Sequence, residues 1–140
     1  MSELNKVLII GNITKNVEIR FTPKGNKVIN LRLALHRKFM TKENEKREET
    51  TFVSVIYFDK LAELCEKYLS KGDKILVEGR LHNREWINDK GDKVNLIEIY
   101  GERLQFIYLK NENKNISENK PNVDSSESEL KDLMHPEMEE

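Results

Sequence analysis

The sequence predicts an all-β barrel of five strands with one helix between the third and the fourth strand. Three observations support this prediction. Long stretches alternate apolar and polar residues with a period of two, which is typical of strands with one buried face. One short segment, residues 60–69, changes to helical spacing. Residues 111–140 show no sustained period at all.

The first three strands lie before the helix. Residues 6–13 form an apolar run rich in β-branched residues, and residues 17–21 are a further extended piece. From residue 27 onward apolar and polar residues alternate, and residues 48–58 alternate again. The polar, highly charged segment between them, residues 40–47, predicts a mobile hairpin loop.

The helix and the last two strands follow. Cys65 lies within the apolar stripe of residues 60–69, so we interpret it as a core residue rather than a nucleophile. Residues 74–86 and 94–109 return to period two on either side of a hairpin loop at residues 87–93. A single helix between the third and the fourth strand is the order of the OB fold, a barrel whose closure protects the sheet edges.

Charge divides the chain into two parts. Residues 1–110 carry 21 Lys and Arg against 16 Asp and Glu, whereas residues 111–140 carry 3 against 9. A basic body with an acidic tail suggests contact with nucleic acid, although this charge is also ordinary for a solvated surface. The tail contains no aromatic residue and cannot bury enough apolar area to offset the entropy of ordering. We expect an OB domain over residues 1–110 and a disordered acidic tail over residues 111–140.

Nothing in the sequence indicates an enzyme, a metal site or a cofactor. The three histidines, at positions 36, 82 and 135, are scattered, and no motif pairs a nucleophile with a base. Cys65 is the only cysteine, which excludes an intramolecular disulfide and a Cys cluster for zinc. The N-terminus lacks a hydrophobic signal core, and no stretch approaches about 18 consecutive apolar residues. We therefore expect a cytoplasmic protein with no membrane partner.

Aromatic residues next to cations form the candidate binding surface. Phe52 and Phe58 share the strand face opposite Val53 and Val55. If the valines line the core, both phenylalanines stand outside, where aromatic side chains are unusual unless they stack on something. Trp86 lies at the end of a row of cationic residues in the next strand, which consists of Arg80, His82 and Arg84.

This pattern suits unpaired nucleobases. An aromatic ring can stack on any base for roughly 1–3 kcal/mol, with little sequence discrimination, and neighbouring Lys and Arg neutralise phosphates. Strand aromatics are nevertheless more often core residues, and parity alone does not say which face is inside. Phe39 shares parity with Leu33 and Leu35, so it reaches the outer surface only past a bulge or where the strand outruns the barrel. From these residues alone, a stacking face and a core position both stay open.

Five segments resemble the bacterial single-stranded DNA-binding proteins, in that family's order and spacing. They are NKVLIIGN at residues 5–12, RFTP at 20–23, FDKLAE at 58–63, YLSKG at 68–72 and VEGRL at 77–81. The resemblance covers about residues 4–109. It implies a nucleoid-associated homotetramer of OB folds that binds and protects single-stranded DNA during replication, recombination and repair.

The resemblance also implies a set of DNA-binding residues. The base-stacking aromatics of the family fall on Phe39, Phe52, Phe58 and Trp86, which places Phe39 on a protruding hairpin. The candidates for phosphate contacts are Lys6, Arg32, Arg37, Lys60, Arg80 and Arg84. Members often carry Trp where this chain has Phe39 and Phe52, and a smaller ring offers less stacking area.

The end of the chain departs from the family's pattern. Family tails usually end in acidic residues, a proline and a terminal phenylalanine that docks into replication and repair enzymes. The corresponding partner-binding candidates here are Pro136, Glu137, Met138, Glu139 and Glu140. The acid and the proline are present and the terminal aromatic is absent, which puts recruitment through the tail in doubt and leaves Met138 as a weaker apolar anchor.

Two other functions fit an OB barrel. One is a protein–protein adaptor of a primosome or recombination complex with weak nucleic-acid binding, which is distinguished by whether Trp86 and the phenylalanines are available to bases. The other is an RNA-binding domain of the cold-shock type. The long acidic tail and the helix before the fourth strand argue against this last alternative.

Overall fold

Five long strands and one helix enclose the core, and a sixth, short strand extends the sheet. The computed structural model describes residues 2–110. The elements are β1 (Val7–Ile13), β2 (Glu18–Phe21), β3 (Lys27–Met40), β4 (Lys46–Phe58), α1 (Asp59–Tyr68), β5 (Lys74–Ile87) and β6 (Lys93–Tyr108). The predicted tail, residues 111–140, lies outside the described residues.

The strands close into a barrel of mixed direction. Their order is β1-β5-β6-β4-β3-β2, and β1 also pairs with β3 through Asn12↔Ala34 and Ile13↔Leu33. The pairing of β4 with β6 is parallel and the other pairings are antiparallel. Since α1 joins β4 to β5, the five long strands have the OB order, and the predicted fold is confirmed. Residues 17–21, expected only to be extended, supply β2 as an addition to β3.

One face of each alternating strand lies in the core. Ile29, Leu31 and Leu33 of β3 are buried, as are Val55 and Tyr57 of β4. From α1, the buried side chains are Leu61, Ala62 and Cys65, so the core position of this cysteine is confirmed. Burial raises the pKa of the Cys65 thiol above its ordinary value because the thiolate would lose its hydration.

Tyr57 carries the largest fully buried side chain of this core. Its hydroxyl donates a hydrogen bond of 2.7 Å to the backbone carbonyl of Arg103 on β6, which satisfies the one polar atom of the side chain. The ring lies against Gly101, where an added Cβ would overlap the ring carbons. Because Gly101 has no side chain, it leaves room for a full aromatic ring to pack under β6.

Two hairpins outrun the barrel. The β3–β4 ladder runs without a break in register from Val28↔Phe58 to Met40↔Lys46, and the β5–β6 ladder continues to Ile87↔Lys93. The hairpin loop expected over residues 40–47 is therefore shorter, because both strands extend into it and leave a turn at residues 41–45. Side chains near both hairpin ends leave the core and meet solvent.

Within residues 2–110, the structure contains no helix long and apolar enough to cross a membrane.

Candidate nucleic-acid interface

Aromatic side chains meet on the outer faces of β4, β6 and β5. Tyr100 of β6 lies between the other two strands, in register with Ile56 on β4 and opposite Arg80 on β5. The ring centroids of Phe58 and Tyr100 are 5.2 Å apart at an interplanar angle of 75°, an edge-to-face contact. Phe58, predicted to stand outside the barrel, is placed there but is only partly exposed.

His82 completes this group from the β5 side. Its ring stacks on Tyr100 with centroids 3.9 Å apart and planes 20° apart. The guanidinium carbon of Arg80 lies 5.5 Å from the centroid of the Tyr100 ring. We call Phe58, Tyr100 and His82 the central ring cluster. Partial burial raises the pKa of Tyr100, so its hydroxyl stays neutral through the physiological range.

Sequence reasoning missed Tyr100. Alternation assigns it only to the last strand, residues 94–109. The available signal was the hairpin register. A turn at residues 88–92 places Trp86 opposite Val94, and counting back along both strands brings Tyr100 opposite Arg80. Pairing the two strands of the hairpin through this turn identifies Tyr100 as a neighbour of Arg80.

Phe52 stands on the outer face of β4, six residues before Phe58. It is 52% exposed and pairs with Ala34 across the ladder to β3. The guanidinium carbon of Arg32 lies 5.8 Å from its ring centroid, and Arg32 also donates a hydrogen bond of 3.2 Å to the Ser54 hydroxyl. The exposed ring and the adjacent cation have the arrangement that a stacking face requires.

Phe39 lies on the hairpin beyond the barrel. The unbroken β3–β4 register contains no bulge before it, so the strand carries Phe39 out of the core by its length alone. The ring is partly exposed, and the guanidinium carbon of Arg37 lies 4.6 Å from its centroid. Arg37 at the same time forms an ion pair of 3.1 Å with Glu49 on the partner strand.

Trp86 lies near the end of β5 and is 39% exposed. The guanidinium carbon of Arg84 is 4.7 Å from the Trp86 ring centroid. The Arg84 Nε in turn lies 3.0 Å from a carboxylate oxygen of Glu98 on β6. The side chain therefore has one cation against its ring and remains accessible elsewhere.

Most of the predicted phosphate-binding cations already have a carboxylate partner. Four of the six are in ion pairs, namely Arg37 with Glu49, Arg80 with Glu102, Arg84 with Glu98 and Lys6 with Glu78. The other two differ: Arg32 contacts Ser54, and Lys60 is exposed at the start of α1. The surface thus presents less positive charge than a count of its cations suggests.

The structure brings together some of the predicted site residues and separates others. Phe58, Arg80, Arg84 and Trp86 share the outer face of strands that flank β6. Phe52 and Arg32 contact each other further along β4 and β3. Phe39 and Arg37 lie further out on the β3–β4 hairpin, and Lys6 lies just before β1, next to β5. The tail candidates Pro136, Glu137, Met138, Glu139 and Glu140 lie outside the described residues.

This fold and this surface define an OB-fold protein with aromatic rings and cations interleaved on its outer strands. Residues 4–107 match the profile of the single-strand binding protein family. The chain belongs to this family.

Named relatives agree with this assignment. A single-stranded DNA-binding protein of Wolinella succinogenes is 37% identical over 103 residues, which cover 74% of this chain and 64% of the relative. A single-stranded DNA-binding protein 2 of Staphylococcus aureus (strain COL) is 39% identical over 111 residues, 79% of this chain and 78% of the relative. The matched segment spans less than two thirds of the Wolinella protein's length.

Solved structures show the same architecture. The Plasmodium falciparum SSB in complex with ssDNA superposes with a TM-score of 0.68 at 28% identity, covering 76% of this chain and 97% of that one. A deletion mutant of the single-stranded DNA binding protein from Thermus aquaticus gives a TM-score of 0.67 at 31% identity, over 76% of this chain and 52% of the other.

Proposed function

We propose that this protein binds single-stranded DNA without sequence preference and protects it during replication, recombination and repair. The observation that carries the proposal is the placement of Phe52 and Trp86 on the outer surface, each with a guanidinium group beside the ring. Membership of the single-strand binding protein family supports it, as does the fold shared with a protein solved in complex with ssDNA.

The chemistry of the surface explains why base identity is not read. A ring that stacks on a base uses the π face common to all bases, and contributes roughly 1–3 kcal/mol per base. The central ring cluster and the exposed rings of Phe52 and Trp86 offer such contacts along neighbouring strands. Duplex DNA hides its base faces, so it is a poor ligand for the same surface.

Phosphates bind to this surface by replacing carboxylates as the partners of its cations. The guanidinium of Arg80 lies 3.2 Å from Glu102 and that of Arg37 lies 3.1 Å from Glu49, both at partly or fully exposed positions. The exposed ion pair of Arg37 contributes only about 0–1 kcal/mol, so a phosphate replaces its carboxylate at small cost. Binding therefore weakens as salt rises, because cations that contact phosphates release condensed counterions.

We further propose that the folded unit assembles as a homotetramer. Leu8 and Ile10 of β1 are exposed large apolar side chains, and β1 contacts β3 only near its end, at Asn12 and Ile13. An apolar strand with an open edge is a site at which a second chain can pair. The number of four chains in the proposed assembly rests on the family resemblance.

Residues 111–140 are proposed to be an acidic segment that recruits replication and repair enzymes, in a cytoplasmic, nucleoid-associated protein. The support is the charge of this segment and the sequence from Pro136 to Glu140, in which acidic residues follow a proline.

A second candidate is an adaptor of a replication or recombination complex with weak DNA affinity. The ion pairs favour it, because four of the six candidate cations are neutralised by carboxylates within the domain. The adaptor would keep the barrel and use the exposed aromatic surface for protein contacts.

The fluorescence of Trp86 distinguishes the two candidates, since it is the only tryptophan of the chain. Titration with oligo-dT at low and at moderate salt should quench the emission, with an affinity that falls as salt rises. The variant Trp86→Phe, tested with end-labelled oligo-dT, separates loss of the signal from loss of binding. An absence of quenching and of labelled-DNA binding at low salt would support the adaptor instead.

A further inference from the structure

A buried carboxylate lies in the middle of the surface proposed to bind a polyanion. Glu98 is one of two buried charged or polar residues within residues 2–110, and only 3% of its side chain is exposed. Burying a carboxylate costs free energy that its partner repays only in part, so a buried ion pair is weak evidence for a role in stability. A negative charge at this position calls for a functional explanation.

Glu98 is connected to the exposed tryptophan through one side chain. Its Oε1 lies 3.0 Å from the Nε of Arg84, and the guanidinium of Arg84 lies over the Trp86 ring at 4.7 Å. Arg84 itself is half exposed, and an arginine in that setting has many rotamers unless something holds it. The Glu98 side chain is almost fully buried and supplies that anchor.

We propose that Glu98 is a positioning residue for base stacking, which holds Arg84 against one face of Trp86 and presents the other face to a nucleobase. The inference rests on the proposed function. A side chain that is ordered before binding does not have to be ordered by the ligand, which improves affinity. Arg84 thus acts on the ring as well as on phosphate.

A substitution that neutralises Glu98 tests this role, because two explanations predict opposite changes in DNA affinity. Simple electrostatics predicts that Glu98→Gln, which removes a negative charge from the interface, tightens binding to DNA. A positioning role predicts the opposite, because Arg84 is released and Trp86 loses its support. The matched control is Glu102→Gln, on the same strand, whose partner Arg80 lies over Tyr100 and not over Trp86.

Two measurements on the full-length protein are needed. The first is acrylamide quenching of Trp86 without DNA, which should increase in Glu98→Gln and stay at the wild-type value in Glu102→Gln. The second is affinity for end-labelled oligo-dT, which should fall about threefold to tenfold in Glu98→Gln, as expected for one side chain that must be immobilised on binding. The fall in affinity of Glu98→Gln should exceed any change in Glu102→Gln, which neutralises a carboxylate on the same strand without releasing the cation over Trp86.

Arg84→Lys tests the same proposal from the exposed side of the contact. It keeps the charge but loses the planar group over the ring, so it should show the same two changes even if Glu98→Gln does not fold. Unchanged acrylamide access in either folded variant, or tighter DNA binding by Glu98→Gln, would overturn the positioning role. The quenching experiment needs no DNA, so it tests the positioning role independently of the proposed function. Failure of the wild-type protein to bind oligo-dT would contradict the proposed function instead.

Discussion

The imidazole of His82 lies parallel to the phenol ring of Tyr100, with the two ring centroids 3.9 Å apart. Phe58 contacts the same tyrosine edge-on from the opposite strand, and Arg80 lies over it. Tyr100 therefore links the β4 and β5 contributions to the surface. Removing it would affect both neighbouring rings at once.

We expect Tyr100→Val to weaken binding of labelled oligo-dT by about 1 kcal/mol, at the low end of the range for one ring that stacks on a base. Affinity falls because the Tyr100 ring is missing and because Phe58 and His82 lose their contact with it. Fluorescence anisotropy of the labelled DNA measures it. Tyr100→Phe keeps the ring and should bind like the wild type. Wild-type affinity in the valine variant would exclude the central ring cluster from the DNA contact.

Gly101 of β6, which lies over the buried ring of Tyr57, gives a prediction about stability. A methyl group at position 101 would overlap the buried ring of Tyr57, so Gly101→Ala should lower the free energy of unfolding by about 1–3 kcal/mol, as overpacked cores do. Urea denaturation followed by circular dichroism measures the change. Adding Tyr57→Leu removes the overlapping atoms, so the double variant should be more stable than the two single effects summed. Strict additivity would mean that the two positions do not clash.

Strand alternation was sufficient to predict the barrel. It put Val55 and Phe52 on opposite faces of one strand without deciding which face is inside, and the structure buries Val55 and leaves Phe52 52% exposed. The position of Phe39 was not decidable, since parity stops being informative where a strand leaves the barrel. Tyr100 and the ion pair of Glu98 with Arg84 depend on which residues of two strands meet, and a reading of one strand at a time does not contain that information.

Alkaline pH should destabilise the domain through two buried groups. Burial raises the pKa of the Cys65 thiol and of the Tyr57 hydroxyl, because both are neutral when protonated and charged when not. The folded state thus holds these protons more tightly than the unfolded state. Their stabilising contribution is complete below the unfolded pKa values and is lost progressively above about pH 8.5 for the thiol and about pH 10 for the phenol.

Urea denaturation at a series of pH values from 7 to 11 would show this decline, and Cys65→Ala should lack the part that begins at lower pH. A thiol reagent at pH 8 provides an independent check. It should react slowly with the folded protein and rapidly in urea. Rapid reaction without denaturant would show that Cys65 is accessible in solution.

Deletion of residues 111–140 should leave the domain folded. The truncated protein should bind single-stranded DNA slightly more tightly than the full chain. This segment carries 9 acidic against 3 basic residues, so it competes electrostatically with phosphates for the cations of the domain. Thermal unfolding and oligo-dT affinity at low salt test both parts. The difference in affinity should shrink at high salt. Weaker binding after truncation would contradict competition by the tail.

The most direct test of the account compares two ligands that differ only in their bases. Oligo-dT and an abasic phosphodiester oligomer of the same length carry the same charge, but only the first offers rings for Phe39, Phe52, Phe58 and Trp86 to stack on. If stacking carries the binding, the abasic oligomer should bind at least about a hundredfold more weakly. Equal affinities for the two would contradict the account and show that the surface recognises phosphate alone.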